Sequence, residues 1–271
     1  AHSICLNKYW AMILNFFKSL DHQSTNRFVR IYATVLSTVA IAFFFNPYFL
    51  LIALVIGWMA QGISIEAILH RKYAHNQYRY KNKFFEFLSY FILISTGTGK
   101  PLSWSFGHRV HHKYTDEPYD PQSPHAWGFL RIFLSNFSTH VNGLDKKDYP
   151  DMSDFNSYSK RFFIFNNNYY FFYALYNLIW FLIDPVFALY IIGIPCFLSW
   201  LSLGIVNLFS HLEYKNPKDL PFPLLFWGGN YHRRHHDNPG KTKLGRFDLS
   251  YYFIKLVGIE NKSQSVYNYK K

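Results

Sequence analysis

Cysteine is nearly absent from this chain of 271 residues, with Cys5 and Cys196 the two present. So few exclude a disulfide-stapled scaffold and a cysteine-based zinc module. Cys196 lies in an apolar run, where a free thiol behaves as a small hydrophobe. Charge is also sparse, at 16% of residues against 50% hydrophobic and 21% aromatic. That balance excludes a disordered chain. Lysine and arginine are missing altogether from two stretches, 31–70 and 162–214, so all 28 lie elsewhere. The mean hydropathy of −0.07 therefore averages over two unlike kinds of segment. A net charge of +12 first raises nucleic acid as a partner. No Lys/Arg-rich helix or aromatic stacking motif supports that reading, and no nucleic-acid partner is expected.

The two stretches without basic residues read as membrane hairpins. Residues 31–69 carry one charge, Glu66. At a rise of about 1.5 Å per residue, one helix of that length would be nearly twice a ~30 Å hydrocarbon core. Asn46-Pro47 supplies a break, giving spans at 31–45 and 48–69. Asp184-Pro185 divides the second stretch into 169–183 and 186–209. Gly193, Pro195 and Gly204 are tolerated in a membrane helix. Two hairpins return the chain to one side, so every Lys and Arg falls on that side, which the positive-inside rule makes cytoplasmic.

The expected fold is thus an all-α integral membrane protein, multi-pass, with four transmembrane helices in two hairpins and both termini cytoplasmic. Residues 1–29 form an N-terminal interfacial segment. The domain of 30–261 follows, its helical cytoplasmic cap built from 70–161 and 210–261, and 262–271 is a polar tail. The shorter apolar segments 8–20, 84–98 and 126–137 read as interfacial helices.

Histidine carries the chemistry. Nine of the 13 fall into four groups. His70 and His75 are spaced HxxxxH; His108, His111 and His112 are spaced HxxHH, as are His232, His235 and His236; His211 stands alone at the end of the last span. On a helix, positions i, i+3 and i+4 share a face, so each HxxHH can present imidazoles to one point. All nine lie on the basic side of the expected topology and can converge. Nine nitrogens are too many for one ion, and two metals are the natural reading. Imidazole suits iron, zinc, copper and nickel. A zinc protease would show HExxH, which is absent. The glutamate-rich di-iron bundle needs Glu-x-x-His pairs, and no Glu here has His three residues on.

These boxes, His70-Arg71-Lys72-Tyr73-Ala74-His75, GHRVHHKYTDEPYDPQSP at 107–124 and GGNYHRRHHDNPG at 228–240, resemble the membrane-bound fatty acid desaturase family. The run GRFDLSYYFIKLVGIE and the pair Asn207 and His211 are similar to its stearoyl-CoA (Δ9-type) acyl desaturase branch. Several positions depart from the pattern, among them the run before His70, where Glu66, Ala67, Ile68 and Leu69 stand in place of the family's usual Gly-containing approach. Gly229 stands where the family usually has Glu, Arg233 where it has Asn, and Asn76 where it has Arg.

The resemblance implies two iron ions held by the nine histidines, with Asn207 contributing through water. It implies O₂ as co-substrate and electrons from a separate donor, ferredoxin- or cytochrome b5-like. The product would be a cis double bond in a saturated chain carried on CoA, acyl-carrier protein or lipid. Asp116, Asp120 and Asp237 are candidates to orient ligating imidazoles through their second N–H, against their bland role as caps. Trp104, Phe106, Trp200 and Trp227 are candidate walls of an apolar substrate tunnel. The nearest rival is a di-iron hydroxylase, which shares the oxidant but places oxygen on the carbon.

Overall fold

The computed structural model describes residues 12–17, 22–135 and 144–261. Four helices dominate it, the amphipathic α1 (His22–Phe43) and the apolar α2 (Pro47–Gln61), α8 (Tyr169–Ile183) and α9 (Pro185–Phe209). Between the pairs run α3 (Lys83–Ser95), α4 (Pro101–Lys113), α5 (Pro124–Trp127), α6 (Phe129–Ser135) and α7 (Lys160–Asn167). After α9 come α10 (His232–Asp237) and α11 (Leu249–Val257). The segment 8–20 expected at the interface is helical at 12–17, and its remainder lies outside the described residues, as does the tail at 262–271.

Both breaks are capped as their residue types dictate. The Asn46 side chain accepts from the Tyr48 and Phe49 amides, and that of Asp184 from Val186 and Phe187. Each break has proline at the first helical position, where its missing N–H costs nothing. Tyr190 ties the first turn to α9. Its hydroxyl accepts from the Asn46 N–H at 2.9 Å and lies 3.0 and 2.8 Å from the Ala40 and Phe44 carbonyls at the end of α1.

The helix from 47 does not stop where its apolar run ends. It widens at Gly62 into a π-helix, Gly62–Ala74, whose backbone bonds run five residues apart. Two continuous helices, Pro47–Ala74 and Pro185–Phe209, are long and apolar enough to cross a membrane, with Tyr169–Ile183 apolar but shorter. Large side chains such as Phe43, Leu51, Leu178 and Leu182 are exposed, an apolar belt that water would not tolerate over this extent. Helix α1 begins nine residues before the expected span, because Asn26 is buried and anchors its first turns. Tyr170 Oη donates to Asn26 Oδ1 at 2.9 Å.

One short ladder modifies the all-α expectation. Strand β1 (Tyr78–Tyr80) pairs antiparallel with β2 (Gly258–Glu260), Arg79 opposite Ile259. It ties the end of the first metal-site helix to the end of the domain. The core lies beside it, where Ile68, Leu69, Tyr73, Leu93, Phe162 and Tyr169 are buried together.

Helices α1 and α9 approach closely at Gly193. A Cβ there would stand 2.6 Å from Ser37 Oγ and 2.9 Å from the Ser37 backbone nitrogen. Backbone cannot yield cheaply, so Gly193→Ala is expected to cost about 1–3 kcal/mol. A lowered unfolding temperature of the detergent-purified protein would register it; an unchanged one would show that these helices are free to separate.

Candidate metal centre

Nine buried or part-buried histidines meet in two groups. His70, His75, His108, His112 and His235 form one; His111, His211, His232 and His236 form the other. Within each, the ring nitrogens lie within 4.8 Å of one another. Local helix geometry explains the sorting. Residues five apart on an α-helix point about 140° apart, so HxxxxH would splay its two rings. The π-helix closes this angle: the His75 N–H donates to the His70 carbonyl at 2.9 Å, and the rings meet with centroids 4.9 Å apart. Each HxxHH divides in the same way. The i, i+4 pair His108 and His112 serves the first group while His111 turns to the second; His232 and His236 serve the second while His235 turns to the first.

The nitrogen contacts then pose a problem of valence. In the first group Nε2 atoms meet at 2.8 Å (His70–His235), 2.8 Å (His235–His112), 3.1 Å (His112–His108) and 2.9 Å (His108–His75). In the second they meet at 2.8 Å (His211–His232), 3.1 Å (His232–His236) and 3.2 Å (His236–His111). An imidazole nitrogen offers in its ring plane either one proton or one lone pair. Five such atoms can form at most two N–H···N bonds, and the first group has four contacts. Four atoms can likewise form two, and the second group has three. A cation at the centre of each group resolves the conflict, since every Nε2 can then direct a lone pair to it. Metal–imidazole bonds of about 2.1 Å, as at zinc, set at right angles place nitrogens about 3.0 Å apart, the spacing found here. The donor set fits a pair of metals.

Carboxylates hold several of the second nitrogens. His111 Nδ1 donates to Asp120 at 2.9 Å and His211 Nδ1 to Asp116 at 3.3 Å. Asp120 also accepts from the Asp116 and Gln122 amides, so it fixes both the ring and its own loop. Asp237 is placed differently, on the exposed face of α10 with Arg233 4.0 Å away. Sequence reasoning marked Glu66 as a departure but gave it no orienting role; its Oε2 accepts from His70 Nδ1 at 3.0 Å. The signal was there, an acid four residues before a histidine in an otherwise uncharged run. Also unforeseen were the buried clamps behind the boxes. Arg71 pairs with Asp248 at 2.9 Å, and Arg109 with both oxygens of Asp154 at 2.8 and 2.9 Å.

Asn207 is buried one turn before His211, and its Nδ2 has no hydrogen-bond partner. Trp104 stacks on His108 at 5.0 Å, and Trp227 is buried against Trp58. Phe106 packs on Tyr149, and Trp200 donates to the Phe133 carbonyl beside a cleft lined by Arg27, Arg30 and Arg131. Asn76 takes a φ of +48° directly after the first box, a conformation that Asn adopts more readily than Arg.

Burial, reinforced by neighbouring rings, pushes the pKa values of His75, His108, His112, His232, His235 and His236 well below the ordinary 6.5. They are neutral and ready to ligate. A depressed folded-state pKa contributes stability that is full above 6.5 and is lost as pH falls from there toward the folded values. The metal-free protein should therefore hold a constant unfolding temperature between about pH 7 and 8 and lose it steadily toward about pH 5. A flat profile through the acid range would contradict the burial of neutral imidazole.

Comparison with known proteins agrees with the geometry. A family model described as fatty acid desaturase matches residues 45–243. The chain is 26% identical over 219 residues to an sn-2 palmitoyl-lipid 9-desaturase of Nostoc sp., covering 74% of this chain and 75% of that one. It is 22% identical over 222 residues to Delta-9 acyl-lipid desaturase 1 of Arabidopsis thaliana, covering 73% and 68%. A shorter match, 33% over 106 residues and 37% and 32% of the two chains, is to a hex-5-enoyl-[acyl-carrier protein] acetylenase of Moorena producens. With three histidine boxes folded into one buried cluster and a family match across most of its length, the chain belongs to the fatty acid desaturase family, alongside Δ9 relatives.

Proposed function

We propose that this oxidoreductase inserts a cis double bond at the Δ9 position of a lipid-linked saturated acyl chain, using two irons held by the nine histidines. The observation that carries the reading is the pair of imidazole groups whose contacts exceed what hydrogen bonding allows. The oxidant for an unactivated methylene, which no side chain supplies, is what the irons and O₂ contribute when bound.

The protein's own share is to hold, orient and exclude. Glu66, Asp116 and Asp120 accept hydrogen bonds from the Nδ1–H groups of His70, His211 and His111, which leaves each Nε2 lone pair facing the site. Neutral imidazoles bind without giving up a proton. Burial of eight of the nine rings keeps bulk water away from the reacting carbons. Asn207, buried one turn before His211 with an unpartnered Nδ2, would contribute to the second group through a water.

Helices α1, α2 with its π-helical extension, α8 and α9 are read as four spans, and the absence of Lys and Arg from 31–70 and 162–214 supports a cytoplasmic metal site. The names of the two longer Δ9 matches specify lipid-linked chains, which favours that carrier over CoA or carrier protein. Electrons come from a separate donor, ferredoxin- or cytochrome b5-like.

Expression in a host lacking its own desaturase should yield new cis monoenes with the double bond between C9 and C10, read by mass spectrometry of derivatised lipids. His111→Ala should abolish them while the protein still accumulates in the membrane. Hydroxylated chains in place of monoenes would move the assignment to the hydroxylase, and unchanged lipids beside bound iron would make the chain a silent member of the family.

A further inference from the structure

We propose that Glu66 is the carboxylate that positions His70, and that Gly229 is the residue that makes room for it. This rests on the two-metal reading above. Glu66 is 8% exposed and lies on the π-helix one turn before His70. One carboxylate oxygen accepts from His70 Nδ1 at 3.0 Å, while His70 Nε2 faces His235 Nε2 at 2.8 Å across the first group. The other side of the carboxylate rests on Gly229. A Cβ at position 229 would stand 2.3 Å from Glu66 Oε1 and 2.5 Å from its Cδ.

The backbone at Gly229 cannot retreat to relieve such a contact. Its N–H donates to the Phe226 carbonyl at 2.8 Å, and the flanking Gly228 and Tyr231 amides donate to Pro223 and Gly228 at 3.1 Å each. The flexible end of Glu66 would have to move instead, and His70 would lose its partner. Position 229 is where the third box of the resembled family carries glutamate. Here an acid reaches the same volume from a different element, the helix of the first box, and the third box has given up its side chain.

The two other carboxylates on the histidines, Asp120 and Asp116, serve His111 and His211, both in the second group. Glu66 therefore acts on the first group, where His75 and His235 have Nδ1 atoms without a hydrogen-bond partner. Its effect should be confined to one of the two metal sites.

The test loads full-length protein in detergent anaerobically with iron(II) and measures iron per chain, iron(II) affinity and the Mössbauer spectrum. Wild-type chain should hold two irons, one for each group. Glu66→Ala should weaken iron(II) at one site by about 10- to 100-fold, the range for loss of a ligand's outer partner, and leave the other unchanged. Gly229→Ala should do the same, because its methyl evicts the carboxylate. Glu66→Gln, which keeps an acceptor oxygen, should fall between Glu66→Ala and wild type. The double variant Glu66→Ala/Gly229→Glu should recover iron binding toward wild type, since the acid then enters from the other side of the same slot.

Glu66→Ala that binds both irons as wild type does would overturn the role of Glu66. Gly229→Ala indistinguishable from wild type, which stays informative if Glu66→Ala does not fold, would overturn the coupling. A double variant no better than Glu66→Ala would show that the positions do not share one slot. Wild-type chain that binds no iron at all would instead remove the metal reading, and the proposal with it.

Discussion

Imidazole nitrogens held about 3 Å apart in a buried pocket are a strained arrangement unless something satisfies them all at once. Seven such contacts occur among the nine rings, where pairwise hydrogen bonding accommodates four. Much of the remaining structure can be understood as what keeps those rings from turning away. The Asp116–Asp120 loop holds His111 and His211 from outside. Arg109 closes on the Tyr73 and Ala74 carbonyls at 3.0 and 2.8 Å, clamping the end of the first-box helix to the second. Arg71 ties that same helix to Asp248, at the start of α11.

Charge is arranged with equal economy. Imidazole ligands bring no negative charge of their own, so two bound cations would sit uncompensated in a low-dielectric interior. Glu66, Asp116 and Asp120 stand one hydrogen bond behind the rings and supply negative charge without occupying a coordination position. The buried arginines do not undo this, because each is matched by its own carboxylate: Arg71 by Asp248 and Arg109 by Asp154. Among the described residues, three acids thus stand directly behind the rings. Removing any one changes both the orientation of a ring and the charge its metal would feel.

The spacing of the histidines was enough to suggest that they converge, because three boxes and a lone His211 fall on one side when the chain is read as two hairpins, and the structure brings all nine together. Which ring joins which group was not legible. It depends on helical phase: HxxHH divides two to one only once the axes of α4 and α10 are fixed, and HxxxxH works only because Gly62–Ala74 is wound wider than an α-helix. No local propensity in that stretch marks the change. Glu66 was visible as the single charge in an apolar run, yet its meaning comes from a contact with Gly229 more than 160 residues away. Asp237 had the right residue type beside the third box, but α10 turns it toward Arg233 and the surface. The capped breaks at Asn46 and Asp184 were legible for the opposite reason, being wholly local chemistry.

The change in winding also locates the site relative to the apolar surface. Along α2, Leu51, Ile52, Leu54, Val55, Ile56 and Met59 remain exposed, the pattern of a helix facing lipid. From Gly62 onward every residue to Ala74 is buried. A single helix thus passes from an exposed apolar face into the protein interior within one turn, and its first residue of the histidine cluster, His70, follows two turns later. At the point of entry Gly62 lies against the Trp227 indole, where a Cβ would come within 2.0 Å of the ring. Trp227 itself holds a left-handed φ of +55°, a conformation rare for a bulky residue and kept only where the surroundings over-determine it. Such a constraint holds the start of the buried π-helix against the segment before the third histidine box.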